Sequence, residues 1–142
     1  MLKGVDPLLG PELLAILRAM GHGDEIAIVD ANYPAEAHGK RVVRMDGHSA
    51  VTILDAVLSL MPLDGAAGDA AFRPCPFGDC DHREPIFGDF EAVIERHEPG
   101  LRLSSIAGEA FYQRVRNACA VIASGERRLY GNIVLRKGVI SP

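Results

Sequence analysis

Residues 21–30 have the sequence GHGDEIAIVD, and this stretch decides the fold. Its apolar part, Ile26–Val29, is a short unbroken run without the alternation of a strand that faces water on one side. Such a run is typical of a strand that is covered on both faces. We therefore expect helices on either side of a sheet, with Asp30 at the carboxyl end of one buried strand.

The rest of the chain alternates between helix and strand patterns. Apolar residues at helical spacing predict four helices, over residues 11–20, 49–61, 87–97 and 109–124. Further short strands are predicted at residues 41–45, 70–72, 101–106 and 133–135. Residues 63–85 are rich in Gly, Pro, Asp and Cys and are predicted to be mostly loop. This alternation indicates the α/β class, with residues 1–142 forming one domain.

Composition and charge argue against several classes of protein. The 142 residues include 15 Lys and Arg against 19 Asp and Glu, a net charge of −4 without a dense basic cluster, which disfavours nucleic-acid binding. No apolar run approaches the ~20 residues of a membrane helix. Three cysteines, an odd number, and an N-terminus without a signal-peptide core predict a cytoplasmic protein.

Two polar residues flank the buried strand and are candidates for chemistry. His22 lies between two glycines, where the backbone lets a ligand approach closely, and an imidazole suits proton transfer near neutral pH. The alternative is a solvated histidine in the turn after a helix. Asp30 lies where open α/β sheets bind ligands, or it caps the turn at residues 32–34. The local sequence leaves both alternatives open.

Two further segments carry side chains suited to binding. Residues 130–132, YGN, offer a phenol and an amide that could bind a polyhydroxylated ligand, although they are also ordinary loop residues. Two thiols and an imidazole follow one another at Cys75, Cys80 and His82. With Cys119 they would make four zinc ligands, but the spacing is wider than the usual C-x2-C pair. A variable loop is the alternative.

Taken together, several segments resemble the RbsD/FucU family of sugar mutarotases and pyranases. The two specific segments are MGHGDE at 20–25 and YGNI at 130–133. Weaker matches run along nearly the whole chain, at residues 2–3, 11–14, 30–31, 34–35, 110–112, 125–127 and 137–139. The resemblance is closest to the FucU branch, whose members act on L-fucose.

This resemblance implies a three-layer α/β/α subunit with a central mixed sheet, assembled into a ring, often a decamer, with sites between subunits. It also implies anomer interconversion of a free monosaccharide without a cofactor or metal. By the match of motifs, His22 takes the proton-donor position, and the sugar-binding positions fall on Asp30, Tyr130 and Asn132. Gly108 departs from the family, which commonly carries Arg or His there in contact with the sugar. The substrate therefore stays open between L-fucose and D-ribose, and a non-catalytic sugar-binding role is the further alternative.

The chemistry of an aldose fits these residues. Its ring opens when the ring oxygen gains a proton and the anomeric hydroxyl loses one, and a histidine can move protons near neutral pH. A hemiacetal needs no metal or nucleotide for this step. His22 and Asp30 are eight positions apart, and an extended chain of that length spans up to about 26 Å, far more than one sugar. Either the segment from Gly23 to Glu25 folds back, or one site takes His22 and Asp30 from different subunits, and we favour the shared site.

Overall fold

The computed structural model describes residues 1–142 and contains one mixed sheet of six strands. In chain order the strands are β1 (Glu25–Val29), β2 (Val42–Met45), β3 (Ala71–Pro74), β4 (Leu103–Ile106), β5 (Ala120–Ser124) and β6 (Ile133–Arg136). The helices are α1 (Pro11–Ala19), α2 (Ala35–His38), α3 (Ala50–Leu58), α4 (Pro85–His97) and α5 (Gly108–Asn117), with 3-10 turns at Gly65–Ala67 and Pro76–Gly78. None of these helices is both long and apolar enough to span a lipid bilayer.

Local signals account for where the helices begin. Pro11 and Pro85 occupy the first turns of α1 and α4, where a missing N–H costs nothing. The Ser49 hydroxyl caps α3 by accepting a hydrogen bond from the Thr52 N–H at 3.2 Å. These starting points match the helices predicted from the sequence to within two residues.

The strand order is β2-β5-β1-β6-β3-β4. Strand β1 runs parallel to β5 but antiparallel to β6, with Ile28 opposite Ile133. Strand β3 is also antiparallel to β6. One edge of the sheet therefore collects the carboxyl ends of β1 and β3 together with the residues that lead into β6.

The buried strand β1 has a helical layer on each face. Ile26 and Ile28 pack into a core with buried residues of α1, α3 and α4. Ala27 and Val29, on the opposite face, pack with residues of α2 and α5. All four side chains are fully buried, so the predicted three-layer α/β/α architecture with a mixed sheet is confirmed.

One predicted element is wrong. The helix expected over residues 109–124 ends at Asn117, and residues 120–124 form β5 instead. The backbone turns to an extended conformation at Ala118, and the Cys119 N–H then donates to the Glu25 carbonyl at 2.8 Å, which starts the pairing with β1. The small apolar residues of this segment suit either element. Burial of all of β5 between two parallel neighbours selects the strand.

Candidate functional site

A cavity of about 200 Å³ opens at the sheet edge where β1 and β3 end and β6 begins. Aromatic rings from four segments of the chain line it, and they belong to Tyr33, Phe77, Phe111, Tyr112 and Tyr130. The Asn132 amide lies among these rings, and no charged side chain lines the cavity. Pockets for drug-sized ligands measure ~300–1,000 Å³, so this cavity suits one small, uncharged ligand with both apolar and polar faces.

Asp30 and Asn132 are hydrogen-bonded to each other just after the carboxyl end of β1. The Asp30 N–H donates to the Asn132 side-chain oxygen at 2.8 Å, which leaves the amide NH2 group of Asn132 able to donate elsewhere. The Asp30 carboxylate accepts a hydrogen bond from the Asn32 N–H at 2.9 Å and so also caps the following turn. Burial raises the pKa of Asp30 above its ordinary value, with hydrogen bonds from neighbouring groups opposing that rise.

Tyr130 contacts Phe77, and both residues line the cavity. These are the two non-glycine residues of the chain with positive φ, 57° and 54°, a conformation that costs about 1–3 kcal/mol and is common at functional sites. The Phe77 N–H donates to the Tyr130 hydroxyl at 3.1 Å, and the two rings meet edge to face at 5.3 Å. A Cys75–Cys80 disulfide closes the loop that carries Phe77. The Tyr130 hydroxyl therefore accepts from the protein and keeps its own proton for a ligand.

Position 131 requires glycine, because a side chain there would overlap neighbouring atoms. A Cβ atom there would lie 2.8 Å from the Glu126 Cγ and 3.0 Å from the Ile86 Cδ1. We expect Gly131→Ala to lower the free energy of unfolding by about 1–3 kcal/mol through overpacking, measured by thermal and denaturant unfolding. The matched control is Gly88→Ala in α4, where nothing lies within 4 Å. That change is expected to stabilise the protein by about 0.5–1 kcal/mol, and effects of the same sign would contradict the prediction.

His22 lies at the opposite end of β1, in a tight turn. Gly23 takes a φ of +85°, which favours glycine, and its N–H donates to the Lys137 carbonyl at 2.8 Å. The His22 Nε2 lies 3.1 Å from an Asp64 carboxylate oxygen. The Asp64 side chain is only 9% exposed, whereas that of His22 is 58% exposed. The imidazole is therefore anchored through one nitrogen and reaches solvent.

Asp64 orients His22 and is itself held from behind. The Arg136 Nε lies 3.5 Å from the same carboxylate oxygen, and the Asp64 N–H donates to the Arg136 carbonyl at 3.1 Å. An Asp64 carboxylate can only accept, so Nε2 of the imidazole carries a proton and Nδ1 is the nitrogen left for exchange with a ligand. This arrangement can present an acid or base at the surface in a fixed orientation.

The structure thus brings three of the four predicted site residues together and leaves the fourth apart. Asp30, Tyr130 and Asn132 lie at one edge of the sheet, where Tyr130 and Asn132 line the aromatic cavity and Asp30 lines an adjoining cavity. His22 is separated from them by the five residues of β1, a rise of roughly 17 Å at ~3.3 Å per residue. Within one chain, His22 and Asp30 therefore do not share a site.

The four zinc ligands of the alternative interpretation are also not together. Cys75 and Cys80 are joined as a disulfide at the end of β3. Cys119 is exposed at the start of β5, at the opposite edge of the sheet. No group of three or more His, Cys, Asp or Glu side chains is arranged to hold a metal ion.

Several side chains of the aromatic cavity and of the His22 site are not predicted by the sequence patterns. Tyr33 lies in a predicted turn, and Tyr112 lies in a predicted helix whose residues 110–112 match the family, yet both line the cavity. A large aromatic residue just after the carboxyl end of a buried strand was the available signal for Tyr33. Asp64 had no signal at all, because its role depends on a loop that folds back beside Lys137.

The fold and the cavity define a small α/β protein that binds a compact polar ligand at a sheet edge. The sequence profile of the RbsD / FucU transport protein family matches residues 3–140, and the chain belongs to this family. The human fucose mutarotase is 41% identical to this chain, over 99% of this chain and 95% of its own length.

Solved structures agree with this assignment. FucU from Bifidobacterium longum superimposes with a TM-score of 0.90 at 41% identity, covering 98% of this chain and 100% of its own. The fucose mutarotase of Streptococcus pneumoniae, solved in complex with L-fucose, gives a TM-score of 0.91 at 38% identity and covers 99% and 100%. The family resemblance and the subunit fold predicted from the sequence are both confirmed.

Proposed function

We propose that this protein is an isomerase that interconverts the α and β anomers of a free monosaccharide, with L-fucose as the foremost substrate. The observation that carries this proposal is the aromatic cavity, which Tyr130 and Asn132 line. The main chain of Asp30 is bonded to Asn132, and Asp30 itself lines an adjoining cavity that shares Tyr33 with the first. Aromatic faces pack against the C–H face of a sugar, while a few polar groups bind its hydroxyls. The methyl group of a 6-deoxy sugar adds apolar surface that suits these rings. The chain's 41% identity to a fucose mutarotase supports the same substrate.

His22 is the proposed proton donor of the reaction. In its doubly protonated imidazolium form, His22 gives the Nδ1 proton to the ring oxygen while Nε2–H stays bonded to Asp64. The bond between the ring oxygen and the anomeric carbon breaks at the same time, with the bonding electron pair going to the oxygen. The anomeric hydroxyl passes its proton to a base of the site, and burial makes the Asp30 carboxylate a stronger base by raising its pKa. The open aldehyde rotates, and the same transfers in reverse close the ring. Tyr130 and Asn132 hold the other hydroxyls.

Because His22 and the cavity lie at opposite edges of one sheet, the proposed site takes them from two copies of the chain. Both edges expose apolar side chains that a neighbour would cover. Phe77 and Leu129 lie at the cavity edge, and Leu2 and Leu60 lie near the His22 edge. A head-to-tail contact between different surfaces closes into a ring when the rotation allows it. We propose such a ring, with a decamer as the expected count.

We also propose that the protein acts in the cytoplasm. The odd cysteine count is the observation behind this proposal. The Cys75–Cys80 disulfide is the observation against it, since such bonds are rare in that compartment.

Saturation-transfer NMR on L-fucose tests the proposed activity directly. The expected result is that irradiation of one anomeric proton signal reduces the other in proportion to protein concentration. The same measurement with D-ribose tests the pyranase alternative. Shifts of the sugar signals without any transfer would favour a binding module without turnover, and Gly108, which provides no cation to the cavity, is the feature consistent with that outcome.

A further inference from the structure

A chain of polar groups runs outward from the cavity through Tyr33. The Tyr33 hydroxyl lies 2.8 Å from the Nδ1 of His38, at the end of α2. The Nε2 of the same imidazole lies 3.1 Å from an Arg116 guanidinium nitrogen in α5. Arg116 is in turn paired with Glu109 at 2.6 Å. The rings of Tyr33 and Tyr112 pack against His38 from the remaining sides.

The chemistry of these groups determines which atom carries each proton in the hydrogen bonds between Tyr33, His38 and Arg116. A guanidinium can only donate, so the His38 Nε2 that faces Arg116 must be the unprotonated, accepting nitrogen. A neutral imidazole then carries its proton on Nδ1, which donates to the Tyr33 hydroxyl. The Tyr33 oxygen is thereby an acceptor toward His38, and its own proton is directed elsewhere. Burial raises the pKa of Tyr33, so this hydroxyl stays protonated.

We infer that Tyr33 donates a hydrogen bond to a hydroxyl oxygen of the bound sugar, and that His38, held by Arg116, is the positioning residue that turns the Tyr33 proton toward the cavity. This inference rests on the proposed function and adds a specificity contact to the same site. Gly108, which also lines the cavity, has no side chain to offer. Tyr33 thus supplies a donor next to Tyr112, whose ring centroid lies 5.9 Å from that of Tyr33.

The arrangement has a defined pH dependence. The charged and titratable groups that face His38 are Tyr33 from the preceding turn and Tyr112, Arg116 and Glu109 from α5. Burial and the Arg116 charge lower the pKa of His38, with Glu109 opposing them. Because the folded state holds this proton less tightly than the unfolded chain, the network is complete above the ordinary histidine pKa. As the pH falls through the lowered pKa of His38, the added proton goes to Nε2, so the hydrogen bond from Arg116 is lost while Nδ1 still donates to Tyr33.

The test compares Tyr33→Phe, His38→Ala and the double variant by NMR titration with L-fucose, which measures the dissociation constant independently of turnover. A hydrogen bond contributes about 0.5–1.5 kcal/mol, so Tyr33→Phe is expected to weaken binding roughly two- to tenfold. His38→Ala should weaken it similarly, and the double variant should bind no more weakly than Tyr33→Phe alone. His38→Asn, whose amide nitrogen can replace Nδ1, should restore wild-type affinity.

Two outcomes of the comparison between variants would overturn the inference. One is a dissociation constant for Tyr33→Phe equal to that of the wild type, and the other is additive losses in the double variant, which would indicate independent structural effects. Anomer exchange is recorded in the same samples by saturation transfer. Binding that depends on Tyr33 without exchange in the wild type would refute the mutarotase and keep the donor role. Anomer exchange in the wild type together with unchanged affinity in Tyr33→Phe would keep the mutarotase activity and refute the donor role. Absence of L-fucose binding in the wild type would refute the activity and the donor role together.

Discussion

Replacing His22 with alanine is expected to slow the exchange of L-fucose anomers by about 10²–10⁴-fold, the usual contribution of a positioned acid or base. The loss should fall on kcat, because the sugar-binding groups lie at the far edge of the sheet within each chain. The His22 side chain is largely exposed and bonds only to Asp64, so its removal should leave the unfolding midpoint nearly unchanged. Saturation-transfer rates, with thermal unfolding of the same sample, measure both quantities.

His48→Ala provides the matched control for this substitution. His48 is also an exposed loop histidine, and its side chain makes no hydrogen bond or ion pair in the structure. Its replacement should leave the exchange rate at the wild-type value. If His22→Ala kept wild-type kcat, the proposed proton donor would be wrong, whatever the affinity for the sugar.

Mixing two inactive variants should restore activity if each site is built from two copies of the chain. His22→Ala lacks the proposed proton donor, and Asp30→Asn lacks the buried carboxylate while keeping its shape. When the variants are unfolded together and reassembled in equal amounts, random head-to-tail contacts should make about a quarter of the sites intact. The exchange rate should therefore rise to about a quarter of the wild-type value from almost none.

A chain that carries both substitutions is the control for this experiment. Mixed equally with wild-type chains, it should leave about a quarter of the sites intact when sites are shared, but about half when each chain holds its own site. Native mass spectrometry confirms that the two kinds of chain have assembled together. Mixed rings without recovered activity would show that His22 and Asp30 do not act in one shared site.

The class of the fold could be predicted because its decisive strand is unambiguous. Ile26–Val29 is apolar on both faces, and both faces are buried. The error over residues 118–124 has the opposite cause. This segment is apolar up to Ala123 and follows a helix without Gly or Pro between them, so its pattern does not mark where the helix ends. The neighbouring strands decide its conformation, and they are distant in sequence.

The candidate site could be predicted in part for a similar reason. Asp30 and Asn132 are 102 residues apart, and they meet because β1 and β6 run antiparallel with Ile28 opposite Ile133. The motif match identified both residues, but the pairing explains why they act together. The partners of His22 and Tyr33 come from loops and from a short helix. Local sequence patterns do not encode contacts of that kind.

The reversed direction of β6 has a consequence for how ligand preference changes among proteins of this architecture. In an all-parallel sheet, only segments that leave the strands reach the binding rim. Here the segment that enters β6 joins the exits of β1 and β3 at one rim. Insertions or substitutions in any of these three connecting segments can reshape the binding site while the hydrogen-bonded strands keep their register. Sequence changes in these loops can therefore alter which sugar is preferred without disturbing the folding of the sheet.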